Sequence, residues 1–199
     1  MPTPTISHLL YLHGFRSSPQ SFKAQRLQAW LRQHQSSVQW WCPQLPASPH
    51  QAMALVQQGI ASWPALTSAV VGSSLGGFYA TVVAEGQGRQ AWRAVLINPA
   101  VHPARDLAAH IGESTAFHNP AERFDFRPEY VQELQALTPA TISHRQRYLP
   151  IVAKGDELLS WQEMSERYPG QPLRLIEGSD HALSDFELHL PALLQFLKL

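Results

Sequence analysis

Cysteine is almost absent from this chain of 199 residues, and long apolar runs are absent altogether. Cys42 is the only cysteine, so no disulfide can form within the chain, and such a composition is typical of a reducing compartment. The first five residues lack the basic stretch and the apolar core of a signal peptide. Every apolar run has the length of a strand, which is too short to cross a bilayer. We therefore expect a cytoplasmic protein with no membrane partner.

Charge of either sign is also scarce. Charged residues make up 15% of the sequence, and fifteen basic residues balance fifteen acidic ones. No run of Lys or Arg marks a phosphate-binding surface, which argues against nucleic acid as a partner. The histidines show no His-x-x-x-His pattern beside a Glu, and no glycine-rich loop ends in Lys-Ser or Lys-Thr. We therefore expect no metal and no cofactor.

What the sequence does contain is a series of short apolar runs separated by amphipathic stretches. The runs are continuous rather than alternating, which is typical of strands buried on both faces of a parallel sheet. With helices between them, they predict a single α/β domain over residues 1–199. Pro150 suits an edge strand, or the first residues of a strand, better than a central position. The predicted strands cover residues 7–12, 38–42, 68–71, 94–97, 148–153 and 173–176.

Serine residues indicate where several helices begin. Ser18-Pro19 and Ser48-Pro49 each place a candidate N-cap before a proline at the first helical position. Ser160-x-x-Glu163 and Ser184-x-x-Glu187 both fit the capping box. A helix is therefore expected after each of the last two strands.

Residues 101–147 break this alternation. The segment is rich in His, Arg and Pro, has no strong strand pattern, and looks helical over 106–111 and 129–137. We predict a short, cap-like helical insertion between two sheet strands, lying over the carboxyl ends where ligands usually bind. The alternative is a surface segment that only covers the sheet and takes no part in ligand binding.

The run Gly72-Ser73-Ser74-Leu75-Gly76 lies between a predicted strand and a predicted helix that extends to about Gln87. This is the context of the G-x-S-x-G nucleophile elbow, in which a serine occupies the apex of a sharp strand-to-helix turn. Glycines allow the close backbone approach, and the helix N-terminus directs N–H groups at a developing oxyanion. The pattern predicts that Ser74 is a nucleophile. An ordinary glycine-rich turn is the alternative.

A serine hydroxyl needs a base to take its proton. In the α/β-hydrolase fold the order along the chain is Ser, then acid, then His, each in a loop after a strand. Asp156 and His181 follow the last two predicted strands in that order. We predict that His181 is the general base and that Asp156 orients its ring and stabilises the imidazolium. Three other acidic residues are less suitably placed in the sequence to orient the ring of His181: Glu157, Asp180 and Asp125.

An oxyanion hole requires two backbone N–H donors. Leu75, directly after the nucleophile, is expected to supply one of them. The other should come from the loop after the first strand, His13-Gly14-Phe15, which makes the N–H of Phe15 the candidate. His13 itself precedes the triad order, and we expect it to be structural, with a hydrogen bond to its own loop.

Six strings of residues begin at Tyr11, Pro43, Val71, Asn98, Gly155 and Ile176. These strings resemble the YqiA-type bacterial esterases. The resemblance runs over nearly the whole chain in one order and is weakest over residues 103–147. It implies a small cytoplasmic α/β-hydrolase that cleaves short-chain acyl esters and also acyl-CoA thioesters, without cofactor or metal. By residue match it places the nucleophile at Ser74, the acid at Asp156 and the base at His181.

Together these patterns predict a serine hydrolase that acts on a small-molecule acyl ester through an acyl-enzyme intermediate. Two alternatives stay open. One is an acyl-CoA thioesterase with the same triad, and the other is a non-catalytic binding protein that keeps the α/β-hydrolase fold. The thioesterase would need basic contacts for the CoA phosphates, for which the candidates are Arg16, Lys23, Arg105 and Arg123.

Overall fold

A six-stranded parallel sheet lies at the centre of the molecule. The computed structural model describes residues 5–34, 36–86, 91–115, 119, 121, 123–169 and 173–199. The strand order in the sheet is β2-β1-β3-β4-β7-β8, and β5 and β6 form a separate antiparallel pair. The strands are β1 (His8–Leu12), β2 (Gln39–Trp41), β3 (Ser68–Ser73), β4 (Arg93–Ile97), β5 (Gly112–Thr115), β6 (Arg123–Phe126), β7 (Tyr148–Ala153) and β8 (Arg174–Ile176). Each strand predicted for the main sheet is therefore present, with its ends moved by at most two residues.

Helices connect these strands and cover both faces of the sheet. They are α1 (Phe22–Gln33), α2 (Pro49–Gly59), α3 (Leu75–Glu85), α4 (Pro103–Leu107), α5 (Pro128–Leu137), α6 (Trp161–Arg167) and α7 (Phe186–Leu197). The described part of α3 ends at Glu85, and the predicted end near Gln87 lies outside the described residues. Within the described part of the chain, no helix has the length and apolar character that a membrane span requires.

Two of the four predicted N-caps are confirmed. The side chain of Ser48 accepts a hydrogen bond from the N–H of Gln51 at 3.1 Å, and that of Ser160 accepts one from Glu163 at 3.3 Å. Each hydroxyl satisfies one of the N–H groups that a helix leaves unpaired at its first turn.

The other two predicted helix starts are wrong. The Ser18 hydroxyl instead accepts from the N–H of Gln20 in a turn, and α1 begins three residues later, with Ser21 in the N-cap position. The Ser184 hydroxyl donates to Asp180, and α7 begins after Asp185. In both cases the serine caps a local turn, because short polar side chains bond whichever nearby backbone or side-chain group the turn presents.

Alternate residues of each strand face opposite sides of the sheet. On β1, Leu10 and Leu12 pack in the core beneath α2 and α3, whereas Leu9 and Tyr11 pack beneath α1 and α7. All four side chains are fully buried. Two buried layers therefore explain why the strands read as continuous apolar runs.

Pro150 lies in the third position of β7, which is an internal strand between β4 and β8. Its pairing explains why proline is tolerated there. β8 is registered only with Ile151 to Ala153, so the edge of β7 that faces β8 is unpaired at Pro150. Proline has no N–H to donate to a neighbouring strand. It is tolerated here because the hydrogen bonds between β7 and β8 begin only at the next residue, Ile151.

The insertion over 101–147 contains more strand than the sequence indicates. Besides α4 and α5 it holds the β5–β6 pair, which the sequence analysis did not predict. Each of these strands has only four residues, so the alternation of exposed and more buried residues in β6, Arg-Phe-Asp-Phe, is too short to indicate a strand by itself. Among the polar contacts that join the insertion to the rest of the domain, Glu133 accepts from Ser48 at 2.7 Å, and Arg105 donates two hydrogen bonds of 2.7 Å to Glu163.

The strand order places a topological switch between β1 and β3. From β1 the chain passes to β2 on one side, then returns to β3 on the other side of β1. The loops after β1 and β3 therefore run side by side at the carboxyl edge, with Leu12 registered opposite Gly72. In open parallel sheets, ligands bind at such a point.

Candidate active site

Ser74 occupies the sharp turn between β3 and α3. Its φ of 56° and ψ of −123° lie in a region that residues with a side chain rarely adopt, at a cost of about 1–3 kcal/mol. Hydrogen bonds to both the N–H and the carbonyl of Ser74 hold the turn in place. The N–H of Ser74 donates to the carbonyl of Ile97 at 2.9 Å, and its carbonyl accepts from Gly77 at 2.8 Å and from Ala100 at 3.0 Å. The serine is thereby fixed at the carboxyl edge of the sheet.

The two glycines of the motif are required by close backbone contacts. A Cβ atom at Gly76 would lie 2.0 Å from the carbonyl oxygen of Leu12, and one at Gly72 would lie 2.1 Å from the carbonyl oxygen of Gly76. Either side chain would push α3 away from β1 and β3. The spacing in the sequence therefore reflects the packing of the elbow itself.

Three residues predicted to act together lie in one hydrogen-bonded line. The Oγ of Ser74 is 2.9 Å from Nε2 of His181, and Nδ1 of His181 is 2.8 Å from Oδ2 of Asp156. The Asp156 side chain is fully buried, and that of His181 is 16% exposed. The order of contacts matches a serine that is deprotonated by an imidazole, whose other ring nitrogen is held by a carboxylate.

Backbone groups orient the Asp156 carboxylate. Its Oδ1 atom accepts from the N–H groups of Leu158 and Leu159, at 2.9 and 2.8 Å. These bonds leave Oδ2 directed at the His181 ring. Asp156 therefore has its orientation set by the loop after β7.

The competing acids have other partners. The Glu157 carboxylate accepts from the backbone N–H of His181 at 2.9 Å, so it holds the loop of the histidine rather than its ring. The Asp180 carboxylate accepts from the N–H and the hydroxyl of Ser184, at 2.8 and 2.6 Å. Asp125 lies in β6, 3.8 Å from Arg127. The sequence analysis missed the part played by Glu157, because only the fold brings it to that N–H.

The two predicted oxyanion donors lie on either side of Ser74. Leu75 is the first residue of α3, where a helix leaves its N–H groups without intrahelical partners. Phe15 follows Gly14, at which a Cβ atom would be 3.2 Å from Cβ of Ser74. Phe15 and Leu75 both line the cavity that contains Ser74. Their role as oxyanion donors stays a prediction.

His13 holds the loop after β1 in place, and the expected bond to its own loop is confirmed. Its Nδ1 atom is 3.0 Å from the carbonyl oxygen of Gly14, and its Nε2 atom accepts from the N–H of Leu45 at 3.1 Å. Since Nε2 accepts, the network assigns the proton to Nδ1, which donates to Gly14. The ring thus links the loop after β1 to the segment that follows β2.

A cavity of about 470 Å³ opens beside Ser74 and His181. Its apolar lining comes from the loop after β1, from α3, from the insertion and from the loop after β7. These residues are Phe15, Leu75, Pro103, Leu107, Leu158 and Leu159. The insertion therefore lies over the carboxyl edge of the sheet and forms part of the cavity wall.

The arrangement of metal-binding side chains and the state of the single thiol are two further features of the described residues. Among the residues that the structure describes, no group of three or more His, Cys, Asp or Glu side chains is arranged to hold a metal ion. Burial raises the pKa of the Cys42 thiol to about 12, so the thiol stays protonated near neutral pH. The absence of a metal and a cofactor stays a prediction.

A family model matches the chain over residues 8–198, which is almost its whole length. Its description is uncharacterised protein family UPF0227, the YqiA-like family that the sequence motifs resemble. The chain belongs to the UPF0227 family. The family description assigns no activity, so the chemistry of this UPF0227 protein has to be argued from its own residues.

Solved structures show that the fold is that of the α/β-hydrolases. One is of the metagenome-derived lipolytic enzymes LipS and LipT, with 18% identity, coverage of 98% of this chain and 95% of that one, and a TM-score of 0.69. Another is Est1E from Butyrivibrio proteoclasticus with ferulic acid bound, with 16% identity, 97% and 88% coverage, and a TM-score of 0.70. Tomato methylketone synthase I complexed with 2-tridecanone has 14% identity, 96% and 97% coverage, and a TM-score of 0.64. At such identities the likeness shows the fold alone.

Asn98 is a second residue of this UPF0227 protein whose role the sequence analysis did not predict. It directly follows β4, has a φ of 40° and is fully buried. Its amide oxygen accepts from the N–H of Ala153 at 2.8 Å, and its amide nitrogen donates to the carbonyls of Asp180 and His181 at 3.0 and 3.1 Å. One side chain thus ties the loop that carries the histidine to two central strands. Asn is among the few residues that tolerate a positive φ. The Asn-Pro pair directly after a strand could therefore have indicated a special backbone position at Asn98.

We expect Asn98→Ala to lower both stability and turnover. The change leaves a buried N–H and two carbonyls without their partner and puts alanine at a positive φ, which should cost about 2–4 kcal/mol of unfolding free energy. Denaturant unfolding and kcat measured on the same preparation check this. Asn98→Asp is the matched control, because it tolerates the same φ and keeps the acceptor for Ala153 while losing the two donors. If both variants unfold and turn over like the wild type, Asn98 does not position the histidine loop.

Proposed function

We propose that this UPF0227 protein is a serine esterase that hydrolyses short-chain carboxylic esters through an acyl-enzyme intermediate. The observation that carries the proposal is the hydrogen-bonded line from Ser74 through His181 to the buried Asp156, at the wall of a cavity. A surface serine in an ordinary turn would have neither a base within 3 Å nor an acid behind that base.

Acylation begins at the Ser74 hydroxyl. As Oγ attacks the ester carbonyl, Nε2 of His181 takes its proton, and Asp156 stabilises the imidazolium through Nδ1. The N–H groups of Phe15 and Leu75 stabilise the negative charge that develops on the carbonyl oxygen. His181 then gives the proton to the departing alkoxide, and the acyl group stays on Ser74.

Deacylation repeats the same steps with water. His181 removes a proton from a water molecule, whose oxygen attacks the acyl-enzyme carbonyl. When the second tetrahedral intermediate collapses, the proton passes from His181 to Oγ of Ser74, and a carboxylic acid leaves. Both half-reactions use one base and one oxyanion site, so this mechanism needs no cofactor.

The size of the cavity supports a small ester as the substrate. A volume of about 470 Å³ lies towards the lower end of the range usual for small-molecule sites, which is about 300–1,000 Å³. The apolar side chains of the insertion cover one side of it, which suits a short acyl or alkyl group. Esters of short acids are therefore expected to react faster than esters of long ones.

The thioesterase alternative has weaker support. Arg105 is bound to Glu163 and Asp106, and Arg123 is bound to Glu113, so two of the four candidate contacts for CoA phosphates are neutralised by carboxylates. Arg16 donates to the carbonyl of Thr115 at 2.6 Å. Comparison of acetyl-CoA with ethyl acetate at equal concentration separates the two activities.

A fluorophosphonate probe tests the proposal directly. Intact mass spectrometry should show one added probe per chain, and peptide mapping should place the label on Ser74. Protein unfolded in urea before exposure to the probe is the control, because the reactivity depends on the assembled triad. A folded protein that takes up no label at Ser74 would contradict the esterase mechanism.

A further inference from the structure

A second cavity, of about 300 Å³, adjoins the cavity that contains Ser74, which we call the first cavity. The loop after β1 and the side chain of Leu75 line both of them, so the two cavities share a wall. The rest of the second cavity is formed by the segment after β2, by Tyr79 of α3 and by Phe124 of β6. The proposed mechanism makes no use of this space.

The ring of Phe15 lies in the shared wall. Phe15 lines both cavities, and its ring contacts one lining residue of each. His110 lines the first cavity, and its ring centroid is 5.6 Å from that of Phe15. Phe124 lines the second cavity, and it meets the same ring edge-on with the centroids 5.7 Å apart. The Phe15 ring therefore separates the two cavities.

The insertion holds the Phe15 ring in this place. Besides His110 and Phe124, the buried ring of Phe126 packs against it edge-on, with the centroids 5.2 Å apart. Edge-to-face packing of aromatic rings is favourable beyond the area that it buries. The side chain of Phe15 is thus fixed by three rings of the insertion, whereas its backbone N–H is a proposed oxyanion donor. A substitution at this position can remove the ring and keep the N–H.

The lining of the second cavity suits a hydrocarbon chain. Arg16 also borders it, but this guanidinium donates to the carbonyl and the hydroxyl of Thr115, at 2.6 and 3.2 Å. Among the described residues that line the second cavity, none carries a carboxylate. The cavity therefore offers apolar contact rather than a partner for a charged group of the substrate. Its apolar lining residues are Phe15, Leu45, Pro46, Ala47, Leu75 and Phe124.

The position of His181 indicates which arm of an ester faces the shared wall. The departing alkoxide takes its proton from Nε2 of His181, so the alcohol has to lie beside that ring. His181 lines the first cavity and is not among the described residues that line the second. In the proposed mechanism the carbonyl oxygen lies at the N–H of Phe15, which brings the acyl chain to the Phe15 end of the site. The acyl arm is therefore the one that meets the ring.

We propose that the ring of Phe15 sets the upper limit of acyl-chain length by closing the first cavity towards the second. This inference rests on the proposed esterase function and names the residue that selects the acyl group. A short acyl chain ends before the ring, whereas a longer chain runs into it. Without the ring the two cavities join, and the end of a longer chain enters the apolar second cavity.

Two p-nitrophenyl esters that differ only in the acyl chain test this inference. The chain-length ratio is kcat/KM for the octanoate divided by kcat/KM for the butyrate, both measured at concentrations too low for micelles to form. The leaving group and the oxyanion are the same in both esters, so the ratio reports on the acyl site. Since one methylene in an apolar site is worth about tenfold or more, we expect a ratio of at most about 0.1 in the wild type and at least about a tenfold rise in Phe15→Ala.

Phe124→Ala tests the shared wall without a change in the oxyanion loop. It removes a ring that holds Phe15 in place, and we expect the chain-length ratio to rise by about threefold or more. Tyr130→Ala is the matched control, because this ring also belongs to the insertion and packs on Phe126 at 5.6 Å but lines neither cavity. Its chain-length ratio should stay at the wild-type value.

A pair of acetates checks the assignment to the acyl arm. Ethyl acetate and octyl acetate differ only in the alcohol, so their relative kcat/KM should be the same in Phe15→Ala and in the wild type. A rise in the octyl-to-ethyl ratio as large as the rise in the chain-length ratio would place the alcohol in the second cavity and contradict the inference.

The remaining outcomes separate the inference from the function on which it rests. If the wild type hydrolyses the octanoate as fast as the butyrate, or if Phe15→Ala and Phe124→Ala both keep the wild-type ratio, the inference is wrong and the esterase proposal stands. An equal rise in Tyr130→Ala would indicate a general loosening of the insertion and also overturns the inference. If the wild type hydrolyses neither p-nitrophenyl ester, the proposed function fails, and the inference fails with it.

Discussion

Ser74→Ala is expected to lower kcat for p-nitrophenyl acetate by at least about 10³-fold, while KM changes little. The hydroxyl is the attacking group, and the only oxygen left to attack the ester is that of water. Removing one Oγ from a turn held by backbone hydrogen bonds should leave the fold intact. Stopped-flow and steady-state assays on the purified variant measure the loss.

The neighbouring serine provides a matched control for this change. Ser73 ends β3 and lines the same cavity, but its hydroxyl is not the one within 2.9 Å of His181. We expect Ser73→Ala to keep kcat within about tenfold of the wild type. An unchanged rate in folded Ser74→Ala, or an equal loss in both variants, would show that Ser74 is not the nucleophile.

Asp156→Asn is expected to lower kcat by about 10³–10⁴-fold with little change in the fold. Asparagine has nearly the shape of aspartate, so it can still accept from Leu158 and Leu159. It cannot stabilise an imidazolium by charge, and its amide can hold the His181 ring in the wrong tautomer. Measuring kcat against pH reveals the effect, because the loss should shrink once hydroxide competes as the base.

Asp180→Asn is the control that separates the acid of the triad from a neighbouring carboxylate. Asp180 directly precedes His181 in the sequence, but its carboxylate bonds to Ser184. We expect this variant to lose less than about tenfold in kcat. If Asp180→Asn lost as much as Asp156→Asn, the ring of His181 would depend on both carboxylates, and the simple triad would be wrong.

Sequence patterns located the strands better than the helix starts. A strand buried on both faces is a continuous apolar run, so β1, β3 and β7 were found from their hydrophobicity alone. A serine caps a helix only if its hydroxyl accepts a hydrogen bond from an N–H of the first helical turn. The conformation of the surrounding turn decides which N–H is within reach. Ser48 and Ser160 meet a helix N–H, whereas the hydroxyls of Ser18 and Ser184 bond within turns outside the helices.

The elbow around Ser74 was determined by the sequence alone. Its chemistry is local: two glycines, a serine and a following helix define the turn within five residues, and the clashes at Gly72 and Gly76 show why no other residue fits. The order of Asp156 and His181 after late strands is likewise visible in the sequence. These features were predictable because they depend on short-range sterics and on the order of the elements.

Only the tertiary structure decided which groups meet. The bond between Ser74 and His181 joins residues 107 positions apart, and the bonds from Asn98 to the histidine loop span 82 and 83 positions. Such contacts depend on the order and register of strands in the sheet, which no local pattern encodes. The reacting groups could be named from the sequence, but the surroundings that orient them and select the substrate are set by the fold.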